Sequence, residues 1–131
     1  MIELIAAPRG TNMSGQCCIS MASGVNLLNI EKRMGRGLIR TNDLIIALKV
    51  YNIDCDIGLR KVRPHWRDRL IESKHNAIVR ISWLNWWQWA LFYQDQIYDP
   101  INREICTVFK RNPSSYLIIF TSELPVNNLG A

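Results

Sequence analysis

The sequence changes period near Asn76, and that change constrains the fold more than any other feature. Ala77-Ile78-Val79-Arg80-Ile81-Ser82-Trp83 is rich in β-branched and aromatic residues and reads as a strand. Trp89-Ala90-Leu91-Phe92-Tyr93 and Ile97-Tyr98-Asp99 read as a hairpin across Gln94-Asp95-Gln96. Ile105 to Phe109 and Tyr116 to Phe120 add two more strands. The preceding half is helical in character. Ile19, Ala22, Val25, Leu27 and Leu28 follow Cys17 at helical spacing. Leu44 to Tyr51 follows a polar start at Thr41, Asn42 or Asp43, and a third helix is expected with Pro64 in its first turn. Helices first and an antiparallel sheet second define the α+β class, as opposed to alternating α/β.

Residues 1–131 are expected to form a single domain, since no repeat, low-complexity tract or linker interrupts them. Hydrophobic residues make up 48% of the sequence, enough for one packed core. Glu31 to Arg40, with Gly35 and Gly37, reads as a basic loop, and the tail from Leu124 to Ala131 is expected to fray. No apolar run reaches the roughly 18 residues of a membrane span. Met1-Ile2-Glu3-Leu4-Ile5 lacks the pattern of a cleaved signal. The expectation is a soluble, cytoplasmic protein, or one delivered as an effector without a cleaved signal peptide.

Cys17, Cys18, Cys55 and Cys106 contain no C-x-x-C pair and form no zinc pattern with His65 and His75. No metal, cofactor or disulfide framework is expected. Seven basic residues, from Arg60 to Arg80, face only Asp68 and Glu72 in the same stretch, an excess equal to the net charge of +5. Such a patch suits an acidic protein partner and, less well, nucleic acid, for which no recognised motif is present.

The candidate chemistry sits in Asn12-Met13-Ser14-Gly15-Gln16-Cys17-Cys18. A cysteine at a loop-to-helix junction gains thiolate character from the helix dipole, and unpaired N–H groups there can hold an oxyanion. The run Asn12-x-Ser14-Gly15-x-Cys17-x-x-Ser20 resembles the nucleophile segment of papain-like cysteine peptidases. It is closest to the small branch that includes bacteriocin-leader peptidases and related phage and effector proteins. Trp86-Trp87-Gln88-Trp89-Ala90-Leu91-Phe92-Tyr93-Gln94-Asp95-Gln96-Ile97-Tyr98-Asp99-Pro100 is similar to that family's hairpin, in which a strand opens His-Trp and its partner ends Asp-Pro.

The resemblance implies a papain-like fold and a peptidase or amidase. In this assignment Cys17 attacks a peptide or protein substrate, Asp99 orients the base, and Asn12 with the Cys17 N–H holds the oxyanion. One departure stands out: Gln88 occupies the position of the family histidine. A carboxamide has no basic site for a thiol proton. Either His75, opening the preceding strand, supplies the imidazole, or the domain is a degenerate relative that binds without turnover. Cys18 is a rival nucleophile, with Asn12 six residues before it. Adjacent helical side chains diverge by about 100°, so only one of the two cysteines can face a groove. All five tryptophans fall between Trp66 and Trp89. Strand alternation puts Trp87 and Trp89 on one face and Phe92 off that face or at its edge, with Trp86 and Trp87 flanking the expected groove.

Overall fold

The computed structural model describes residues 2–125. Three helices come first: α1 (Ser14–Ser23), α2 (Leu27–Met34) and α3 (Thr41–Val50). A short strand β1 (Arg60–Lys61) and helix α4 (Trp66–Glu72) lead to β2 (Asn76–Trp83), β3 (Trp86–Tyr93), β4 (Gln96–Asp99), β5 (Glu104–Cys106) and β6 (Pro113–Ile119). The strands form one antiparallel sheet in the order β1-β6-β2-β3-β4-β5. The α+β class therefore holds. Among the described residues no helix is long and apolar enough to cross a membrane.

Alternation along the strands divides the core in two. Ile78, Trp89, Leu91, Tyr93, Tyr98, Leu117 and Ile119 pack with residues of α1, α2 and α3. Ala77, Val79, Ile81, Ala90, Phe92, Ile97 and Ile118 pack on the opposite side with Trp66 and Leu70 of α4. The sheet is thus covered by three helices on one face and by α4 on the other. A period of two sends Trp87 and Trp89 to the first face and Phe92 to the second, as their spacing implies.

Element boundaries depart from the sequence reading for local reasons. Helix α1 starts at Ser14, three residues before Cys17, and ends where Gly24 takes a left-handed conformation (φ 76°). Asn26 caps α2 by accepting the Leu28 N–H, so helix occupies the first part of the expected Glu31–Arg40 loop. Arg40 is the N-cap of α3, with Asp43 reaching back to its N–H. Strand β1 has no periodic signal because it is only two residues long. Leu124, expected in a frayed tail, is buried in the larger core; residues 126–131 lie outside the described residues.

Gly15 marks the closest approach of α1 to the sheet. A Cβ at this position would overlap the Ile39 side chain and lie 3.0 Å from Cδ1 of Trp89. Trp89 is itself fully buried and donates its indole N–H to the Ile39 carbonyl at 3.1 Å. Only a residue without a side chain lets helix, tryptophan and the Ile39 segment meet here.

Candidate functional site

A short series of hydrogen bonds ties the start of α1 to β3. Asn12 donates from Nδ2 to the Trp87 carbonyl at 2.9 Å. Ser14 donates from Oγ to Asn12 Oδ1 at 3.0 Å and accepts the Trp89 N–H at 2.9 Å. Strand β4 pairs with β3 only along Leu91–Tyr93. Beyond its end, Asn12 and Ser14 take over the edge of β3, so that side chains do what a neighbouring backbone would do. Asn12, expected to help hold an oxyanion, is here engaged through one Nδ2 hydrogen and its Oδ1 in joining α1 to β3.

Cys17 lies deeper in the helix than the sequence suggests. It is the fourth residue of α1, and its N–H already donates to the Met13 carbonyl at 2.9 Å. That group is not free for an oxyanion. The residue at the junction itself is Met13, the N-cap, whose side chain makes no capping bond. Cys17 is fully buried and packs with Ala7 and Met13, against which Ile5, Leu27 and Ile101 are laid. Burial pushes the pKa of its thiol up to about 12, opposed by the nearby Arg103 guanidinium. Arg103 donates to the Ala7 carbonyl at 2.7 Å. Cys18, also fully buried, belongs to the larger core; burial, then Cys17 and Asp99, hold its thiol well above the ordinary range. Neither cysteine has the environment of an activated thiolate.

Gln88 and Asp99 meet in the hairpin. Gln88 donates from Nε2 to Asp99 Oδ1 at 3.1 Å, and both residues are buried. The same Oδ1 accepts the N–H groups of Ile101 and Asn102, each at 3.0 Å, while Oδ2 accepts Asn102 Nδ2 at 2.9 Å. Asp99 thus makes the Asx-type turn that its position before Pro100 suggests, and in addition fixes Gln88. Asn102 went unnoticed in the sequence, although Asp-Pro-x-Asn is a turn signature that points to it. The space beside the pair is narrow, bordered by Ile81, Ile97, Cys106 and Phe109.

His75 stands elsewhere. It precedes β2, whose Ala77 pairs with Phe92, whereas Gln88 pairs with Ile81, six residues along from His75. At about 3.3 Å per residue that is roughly 20 Å. Asp99 is separated from His75 by two strand positions across the sheet as well. The His75 ring meets Phe120 edge-on, with centroids 5.1 Å apart, and its backbone N–H donates to the Leu70 carbonyl. The expected grouping of Cys17, His75 and Asp99 is not assembled, because the base would have to come from the far end of β2.

The basic stretch is partly engaged. Arg60 pairs with Asp56 at 2.9 Å. Arg67 bonds Asp95 and the Thr107 carbonyl and lies over Phe92 and Phe109. Arg80 stacks on the Trp87 ring, its Cζ 4.6 Å from the centroid. Lys61, Arg63, Arg69 and Lys74 extend the stretch at the surface. Among the described residues, no group of three or more His, Cys, Asp or Glu is arranged to hold a metal. No family model matches the sequence, and no curated protein matches it.

Proposed function

We propose that this protein is a catalytically degenerate papain-like domain that works as a binding protein through its basic surface; of the tryptophans expected there, Trp66 and Trp89 are buried in the core and Trp86 and Trp87 are part-exposed. The observation that carries the reading is the Gln88–Asp99 hydrogen bond. In the papain-like reading, the carboxylate that would orient an imidazole instead holds a carboxamide that cannot accept a thiol proton. The buried Cys17 thiol, held protonated, and the bonded Cys17 N–H weigh in the same direction. An acidic protein or peptide is the partner class that suits Lys61, Arg63, Arg69 and Lys74.

The test is turnover of a mixed peptide library, read by mass spectrometry, for the wild-type protein and Cys17→Ala side by side. Identical, uncleaved profiles are expected. Cleavage by the wild type that disappears in Cys17→Ala would restore the alternative, a cysteine peptidase or amidase, and end this reading.

A further inference from the structure

A surface cavity of about 180 Å³ lies between the turn at residues 8–11 and the turn at residues 100–103, with Arg9 and Arg103 in its wall. Both turns are held in place. Thr11 donates its N–H and its hydroxyl to the Pro8 carbonyl at 3.1 and 2.7 Å, and Gly10 supplies the left-handed residue (φ 78°). The Ala7 N–H donates to the Pro100 carbonyl at 3.0 Å, and Arg103 returns a bond from Nη2 to the Ala7 carbonyl at 2.7 Å. Arg103 is itself left-handed (φ 59°), a conformation disfavoured for a residue with a side chain and kept only where its surroundings impose it.

Charge makes this cavity unlike the others. Both arginines are exposed, and no carboxylate lines the space. Among the described residues neither arginine forms an ion pair. The acids nearest Arg103 in sequence are occupied, Asp99 by Gln88, Ile101 and Asn102, and Glu104 by Lys110 at 2.8 Å. Arg103 spends one guanidinium nitrogen on Ala7, and the Arg9 side chain makes no hydrogen bond among the described residues. The cavity therefore presents two positive charges and unused guanidinium donors that solvent can reach.

We infer that this cavity takes the phosphoryl group of a phosphorylated side chain on a partner protein. A phosphomonoester carries a charge near −2 at neutral pH and three acceptor oxygens, which match two guanidinium groups. A carboxylate would balance only one of them. At about 180 Å³ the space is smaller than the roughly 300–1,000 Å³ of pockets that enclose a whole small ligand, so it suits the end group of a longer molecule. The inference rests on the reading of the domain as a binding protein and gives the acidity of its partner a chemical form. It uses no residue of the Arg60–Arg80 stretch.

The experiment is titration of the full-length protein, above the second phosphate pKa of about 6, followed by N–H correlation NMR on the Gly10 and Thr11 amides. Four probes are used at matched ionic strength: a short peptide with capped ends and one phosphoserine, the same peptide with Ser, the same with Glu, and inorganic phosphate. The expected result is a saturable shift with the phosphopeptide that inorganic phosphate displaces, and binding about tenfold weaker or absent with the Ser and Glu peptides. Arg9→Gln should weaken phosphopeptide binding about tenfold or more and leave thermal unfolding unchanged, because this side chain holds nothing in the fold. Arg103→Lys keeps the charge without the fork and should weaken binding too. No saturable shift with the phosphopeptide, equal affinity for the Glu peptide, a shift with inorganic phosphate alone, or wild-type affinity in Arg9→Gln would overturn the inference. None of these outcomes bears on Cys17-dependent cleavage, so failure here is separable from failure of the binding reading.

Discussion

Two polar groupings on β3 differ in how completely their hydrogen bonds are used. Around Gln88, the donors converge on Asp99, which takes four hydrogen bonds through its two oxygens. Around Trp87, one residue away, Nε1 and the neighbouring Arg80 Nε have no partner. The residues face opposite sides of the sheet, so a single strand carries a closed network on one face and an open one on the other. The place where the papain-like resemblance expects chemistry is therefore built for rigidity. The unused bonding capacity lies beside it, where the sequence shows only an arginine and a tryptophan.

Breaking the closed network should have the largest effect. Asp99→Ala would leave the buried Gln88 carboxamide and two backbone N–H groups of a partly buried turn without their acceptor, and should cost about 2–3 kcal/mol. Urea unfolding reads this directly. A loss under about 1 kcal/mol would mean that the network contributes little. Ser14→Ala should be milder, about 1–2 kcal/mol, since it strands the Trp89 N–H and releases one bond of Asn12. The same unfolding measurement checks it, and an unchanged midpoint would show that water replaces the hydroxyl. Arg80→Gln should cost least, about 1 kcal/mol or less, because it removes an unpaired donor and a cation over Trp87. A cost as large as that of Asp99→Ala would place Arg80 among the structural groups.

The contrast also shows what a sequence can disclose. The α+β class was legible because strand alternation and helical spacing are properties of contiguous residues, as in Ala77 to Trp83. The facing of Trp87 and Trp89 to one side was legible in the same way, whereas the covering of the other face by α4 was not. That Gln88 and Asp99 share one hairpin followed from its pattern; that they bond each other did not. The exact start of α1 was not legible. Ser14, not Cys17, begins the helix because Ser14 and Asn12 complete the edge of β3 some 75 residues later, a non-local reason. His75 misled because opening a strand is a local property, while reaching Asp99 depends on register. The Arg80–Trp87 stack likewise exists only once β2 and β3 are paired.

Everything proposed for this domain depends on Cys17 being a buried structural thiol and not a nucleophile. Site-resolved alkylation of the native protein with iodoacetamide, from about pH 5 to about pH 9, decides the matter, with Cys17, Cys18, Cys55 and Cys106 read separately by peptide mass. Burial raises the Cys17 thiol from an ordinary value of about 8.5 to about 12, so across this range the group keeps its proton and the reactive thiolate is scarce. Cys17 should stay unmodified until the protein is unfolded, and be labelled more slowly than the half-exposed Cys106. Rapid labelling of native Cys17, with a midpoint well below that of a free thiol, would contradict this.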